Sequence, residues 1–335
     1  MTKYVVYGLE SAINAFFSSS TTTTRQQCDD FAIARAGGVS TPLQMQGVCS
    51  YTVTAGPDKS RIFQFRCEDS TIDIGNISLA KAVHPEFIAS CKYLGTFGNL
   101  QPLHIYEMEN LSGITHIIAR IPPGDMSRQS NTIKDLARFF AQSWNNDRRP
   151  YSDDTAILLK EFQSNFDLLA QDLPSRFAPN LDMVRKELPL LFSGALPFVL
   201  SHQDLNMMNL LIDPETGNMT GIVDWAESRI LPFGFALYGL DNILGLMGST
   251  GWHYYDNHRK FENLFWKTFR EEANDFSDAD LRLTRVARMA GLFYHYGFLF
   301  DIKGTVESVR MDQADGSLAY LDAFCTSCYE GRQRG

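Results

Sequence analysis

Between two apolar runs the chain carries a short polar knot, and its placement constrains the fold more than any other feature. "PFVL" (residues 197–200) gives way to "SHQDLNMMN" (201–209), and "NLLID" then resumes an apolar run. "PETGN" follows with turn formers at Pro214, Gly217 and Asn218, and "MTGIVDW" reads as a second strand. A hairpin folded about that turn brings Asn209 close to Asp224, with Asp204 upstream in a loop. A carboxylate, an amide and a second carboxylate therefore meet at one end of a β-hairpin. Buried strands alone do not call for such a set.

Phosphoryl transfer from a nucleotide does call for it. Mg²⁺ is a hard ion that takes oxygen ligands, often one or two carboxylates plus substrate phosphates. Asp224 and the carbonyl oxygen of Asn209 suit that role. A separate carboxylate must orient the attacking hydroxyl and accept its proton, and Asp204 suits that one. The spacing of base and amide, 204 to 209, is the interval used by kinases between the catalytic Asp and its metal-binding Asn.

The rest of the chain supplies two contrasting regions. Residues 3–17 and 26–36 read as helices separated by "SSSTTTT". "QGVCSYTVTAG" and "SRIFQFRC" alternate like strands about the turn "GPDKS", a helix is expected over Ile74–Val83, and "CKYLGTFG" and "PLHIYEME" read as two more strands. From about residue 130 long amphipathic helices take over, at "TIKDLARFFAQSWNN", 153–171, 180–192, 279–301 and 314–325. "GLMGSTG" (245–251) looks superficially like a phosphate loop but follows no strand signal, so a helix end or turn is expected there.

In order and spacing, "HQDLNMMN" with "IVDW", together with "IFQFR", "YEMENLSG", "DLARFFAQSW" and "DWAESRILPFG", resembles the aminoglycoside phosphotransferase and choline kinase family, in its fungal branch. The resemblance covers most of residues 40–300. It implies an α+β, protein-kinase-like, two-lobed fold: a small β-rich N-terminal lobe (1–108, with the N-terminal helices) and a larger, mainly helical C-terminal lobe (109–335). It implies ATP and Mg²⁺ as cofactors and a small-molecule hydroxyl as acceptor, within secondary metabolism. By the same resemblance Asp204 is the catalytic base and Asn209 and Asp224 are the Mg²⁺ ligands, while His202 stabilises the loop. Arg66 contacts phosphate with Asp73 as its nearest acidic partner, Ser50 lies in the loop over the phosphates, and the backbones of Glu107 and Met108 meet the adenine.

The chain departs from the family pattern in three places. Gln203 stands where Gly is frequent, the phosphate loop has a single Gly47, and no Glu occurs in residues 70–85. These departures keep a non-catalytic nucleotide-binding scaffold open as an alternative. A second alternative is transient phosphorylation that activates a metabolite for cyclisation, condensation or elimination.

Composition closes off other classes. Lys plus Arg number 30 and Asp plus Glu 39, a net charge of −9 with no basic run, which disfavours nucleic acid and anionic membranes as partners. No stretch has the length and apolarity of a membrane span, and no signal peptide is visible. Of six scattered cysteines only Cys325 and Cys328 form a C-x-x-C, with no second ligand pair for zinc. The expectation is a cytoplasmic protein with reduced thiols.

Overall fold

The computed structural model describes residues 7–148, 150, 152–300, 305–310 and 316–330. It separates into two compact units, Met1–Lys81 with Ile88–Leu111, and Ala82–Phe87 with Ser112–Gly335.

The first unit is a sheet covered by helices. Helices α1 (Leu9–Ser19) and α2 (Arg25–Ala36) precede strands β1 (Thr41–Pro42), β2 (Ser50–Ala55) and β3 (Arg61–Arg66); α3 (Ile74–Val83), β4 (Cys91–Phe97) and β5 (Leu103–Glu109) follow. The strands form one antiparallel sheet in the order β1-β2-β3-β5-β4. Ile13 and Phe16 of α1 and Cys28 and Ala32 of α2 share one core with Tyr51, Val53, Phe63, Phe65, Leu103 and Ile105 of the sheet. The serine/threonine tract is a cap as well as a turn. Thr24 and Gln27 make a reciprocal capping box at the start of α2. Residues 3–6 of the expected first helix lie outside the described residues, and that helix begins at Leu9.

The second unit is mainly helical. Strand β6 (Ile114–Thr115) and the short α4 (His116–Ala119) lead into α5 (Met126–Trp144), α6 (Ser152–Asp172) and α7 (Ala178–Leu191). Strands β7 (Phe198–Ser201), β8 (Leu210–Ile212), β9 (Met219–Ile222) and β10 (Arg229–Pro232) come next, then α8 (Tyr238–Ile243). The unit closes with β11 (Gly245–Gly248), β12 (Gly251–Tyr254), α9 (His258–Glu272), α10 (Asp278–Gly297), β13 (Phe298–Phe300), β14 (Val306–Val309) and α11 (Ser317–Glu330).

Strands β6 to β10 make two small sheets, β7 with β10 and β6-β8-β9. Helix α5 fixes the β8–β9 turn. Thr132 Oγ1 donates to the carbonyl of Gly217, Asn131 to that of Thr216 and Arg128 to that of Pro214, while Asp135 accepts from the Asn218 amide and the Met219 N–H. Gly217 has φ +74°, and a Cβ there would stand 2.3 Å from the Arg128 carbonyl oxygen, so this approach requires glycine.

Two expectations change. The helix expected over 279–301 ends at Gly297, because Phe298–Phe300 pair with Val306–Val309. "GLMGSTG" holds the expected turn, at residues 249–250, but as the tip of a β-hairpin in which β11 pairs with β12, not as a helix end. Helix α9, which packs Phe265 against Phe140 of α5, was not assigned from sequence. The helix expected over 314–325 runs Ser317–Glu330, with 314 and 315 outside the described residues. No helix among the described residues is long and apolar enough to cross a membrane.

Candidate active site

The two small sheets leave two loops side by side, 202–209 between β7 and β8 and 223–228 between β9 and β10. The hairpin register pairs Leu210 with Ile222, and the Val223 N–H donates to the Asn209 carbonyl at 2.9 Å. Asp224 therefore follows directly beside Asn209. His202 ties the loops together. It is buried, its Nε2–H donates to the Val223 carbonyl (2.9 Å), and its Nδ1 accepts the Asp204 N–H (3.2 Å). Burial drives its pKa down, so the ring is neutral and both nitrogens are committed to loop geometry. Trp225 packs edge-on against His202, with ring centroids 4.8 Å apart.

Asp204 sits within this frame. Its Oδ1 accepts from Asn206 Nδ2 and its Oδ2 from Asn209 Nδ2, both at 2.8 Å. Asn209 Nδ2 also reaches the Asp204 carbonyl at 2.9 Å. With its nitrogen held this way, Asn209 keeps its amide oxygen as the atom for a cation. Burial pushes the Asp204 carboxyl up to about 7, aided by the negative charges of Glu227 and Asp224 and opposed by the two asparagine donors. A general base poised near neutrality is what proton acceptance from a hydroxyl asks for. A cation beside Asp224 would weaken the electrostatic part of that rise.

Two backbone conformations mark the site. Asp224 has φ +62° and Gln203 φ +63°, both in the left-handed region. That explains why glycine is frequent at the second position: it adopts this φ without a Cβ penalty. Gln203 compensates with its own contacts. Its Nε2 donates to Ser201 Oγ at 2.7 Å, and its carbonyl accepts the Tyr238 hydroxyl.

Asp224 is exposed, Asn209 is buried with its amide nitrogen engaged, and together they offer one carboxylate and one amide oxygen. This donor set fits Mg²⁺, which keeps water and phosphate oxygens for its remaining positions.

The residues expected to bind nucleotide in the first unit fall into two groups. Ser50 pairs opposite Arg66 in the β2–β3 register, and both are buried. Arg66 Nε donates to the Ser70 carbonyl at 2.5 Å, and Ser50 Oγ accepts from Gln64. The loop before Ser50 is residues 43–49, bridged by the Gln46 side chain to Leu43 and Thr52. Asp73 turns its Oδ1 to the N–H groups of Gly75 and Asn76 at the start of α3.

Glu107 and Met108 require a correction. They lie inside β5, which is paired on both sides, Met108 opposite Ile62 and Glu107 opposite Lys92. The flanking bonds from Asn110 N–H to Ser60 and from Glu109 N–H to Ser90 set the alternation. Met108 faces β3 and Glu107 faces β4, so the backbone of each is committed to the sheet rather than to a base. The Glu107 carboxylate meets Arg35 at 3.3 Å and Arg61 at 3.8 Å.

Sequence reading missed Tyr238 and Asn242, which bond the 202–209 loop, and the buried Asp241–Arg288 pair (2.5 Å) beside them. Only the clustering of polar residues in the otherwise apolar "ALYGLDNIL" could have pointed to them.

Comparison with known proteins finds relatives of this fold. Residues 82–239 match the model of the phosphotransferase enzyme family, designated APH. The GDP complex of aminoglycoside 2'-phosphotransferase-IIIa is similar in fold, with TM-score 0.52 and 13% identity, covering 92% of this chain and 100% of that one. The apoenzyme of macrolide 2'-phosphotransferase MphH from Brachybacterium faecium has TM-score 0.50 and 11% identity, covering 91% and 96%. No curated protein matches the sequence. The matched segment, a little under half of the chain, resembles that family and holds Asp204, Asn209 and Asp224.

Proposed function

We propose that the protein transfers the γ-phosphoryl group of ATP, with Mg²⁺, to a hydroxyl of a small molecule of secondary metabolism. The observation that carries this reading is the juxtaposition of Asp204, Asn209 and Asp224 on two loops locked by His202. Asp204 orients the acceptor hydroxyl and takes its proton as the oxygen bonds to the γ-phosphorus. The bond from that phosphorus to the β–γ bridging oxygen breaks, and ADP leaves. Asn209 and Asp224 would hold Mg²⁺, which when bound would supply charge neutralisation for the phosphates. Arg66 keeps its assignment to the nucleotide phosphates.

The test is calorimetric titration with ATP and GTP, with and without Mg²⁺. Mg²⁺-dependent binding that is lost in Asp224→Ala is the expected result. Binding of neither nucleotide, alone or with hydroxylated acceptors present, overturns the reading.

A further inference from the structure

Asp204 is gripped through its neighbours. Gln203 and Leu205, the residues on either side, are each fastened to α8. The Tyr238 hydroxyl donates to the Gln203 carbonyl, and Asn242 Nδ2 donates to the Leu205 carbonyl at 3.0 Å. The Leu205 side chain lies against the backbone of Gly239, where a Cβ would stand 2.7 Å from its Cγ and Cδ2. These three α8 residues are buried.

A second tier orients the two donors. The Tyr296 hydroxyl donates to Asn242 Oδ1 at 2.8 Å, which turns the amide nitrogen toward Leu205. The His295 ring stacks on Tyr238 with centroids 4.6 Å apart, and its Nδ1 lies 3.3 Å from the Tyr238 oxygen. His295 also bonds the Gln203 backbone, so it shares the hold on that carbonyl with Tyr238. Donors fixed in this way hold two carbonyls that bracket a single carboxylate-bearing residue.

We propose that Tyr238 and Asn242 are positioning residues for phosphoryl transfer, a clamp on the carbonyls flanking Asp204 that keeps its carboxylate aimed at the acceptor; this rests on Asp204 being the base. Tyr238 and Asn242 bond the Gln203 and Leu205 carbonyls rather than the proposed metal ligand Asn209, so their loss acts on turnover more than on metal or nucleotide affinity. Placement errors near 1 Å cost rate steeply.

The experiment pairs amide hydrogen exchange with kinetics in Tyr238→Phe, which keeps the ring on His295 and removes only the hydroxyl. Asn242→Ala is the second variant. Tyr254→Phe, whose hydroxyl donates to Asp241, is the control. The expected result is about tenfold faster exchange at the Asp204, Leu205 and Asn206 amides in the first two variants and no change in the control. With it, kcat falls about tenfold or more while KM for Mg-ATP stays within twofold. Unchanged exchange overturns the clamp. Faster exchange with unchanged kcat shows that Tyr238 holds the loop without positioning Asp204, and also overturns the proposal. Should Tyr238→Phe lose its fold, Asn242→Ala carries the same two readouts. Faster exchange in a protein whose wild type turns over no nucleotide overturns the phosphotransferase reading, and with it the catalytic part of this proposal, while leaving the clamp itself demonstrated.

Discussion

Replacing Gln203 by glycine and by alanine should reverse the usual order of the two residues. Gln203 holds φ +63°, a conformation costing a residue with a Cβ about 1–2 kcal/mol relative to glycine. Against that cost stands one buried hydrogen bond, Nε2 to Ser201 Oγ at 2.7 Å, contributing about 1 kcal/mol. Gln203→Gly loses the bond and sheds the strain, so its stability should lie within about 1 kcal/mol of the parent. Gln203→Ala loses the bond and keeps the strain, and should fall about 1–2 kcal/mol below the glycine variant. For a unit of this size that separation is about 2–8 °C in Tm, scaling from roughly 2–4 °C per kcal/mol. Thermal unfolding followed by circular dichroism measures it. The backbone carbonyl that Tyr238 holds survives in both variants, so turnover persists in both. An alanine variant as stable as the glycine variant would refute the assignment of strain at this position.

Gly217→Ala should destabilise the second unit by about 2–4 kcal/mol, since the new Cβ meets the Arg128 carbonyl and the φ of +74° is strained as well; urea unfolding reads this, and a loss below 1 kcal/mol contradicts the tight α5–hairpin approach. Acid should weaken the fold early. Burial lowers His84, His116 and His295 to about 4. Unfolded histidines take protons near pH 6.5 and these three do not, so stability falls as pH drops from about 6.5 to about 4, by up to roughly 3 kcal/mol per residue. Asp204, raised to about 7, works the other way and gains stability over the same descent. A denaturant midpoint flat between pH 7 and pH 4.5 would contradict the buried neutral histidines.

The architecture was legible where periodicity was strong. Strands β2 to β5 and helices α5 to α7 stand within a few residues of where alternation and helical spacing put them. The helix expected over 279–301 ran past its end because Phe298–Phe300 are as apolar as the residues before them, and only pairing with Val306–Val309 tells strand from helix. Turn chemistry placed Asn209 beside Asp224 correctly, since Pro214, Gly217 and Asn218 fixed the hairpin's register. The misreading at Glu107 and Met108 has a different cause. A strand's neighbours on both edges decide whether its backbone is free, and sequence does not name them. The clamp on Asp204 was invisible for a similar reason: Tyr238 and Asn242 lie about 35 residues from the carbonyls they hold.

The most direct test is turnover of Mg-ATP by Asp204 variants compared with the parent protein. Asp204→Asn sets an amide donor against the donors of Asn206 and Asn209, so Asp204→Ala is measured beside it. Transfer to hydroxylated acceptors, or slow transfer to water, is followed by ADP release, and nucleotide affinity by calorimetry. With Asp204 as the base, both variants lose about 10²-fold or more in turnover while binding nucleotide within a few fold of the parent. Turnover equal to the parent in either variant would contradict the account.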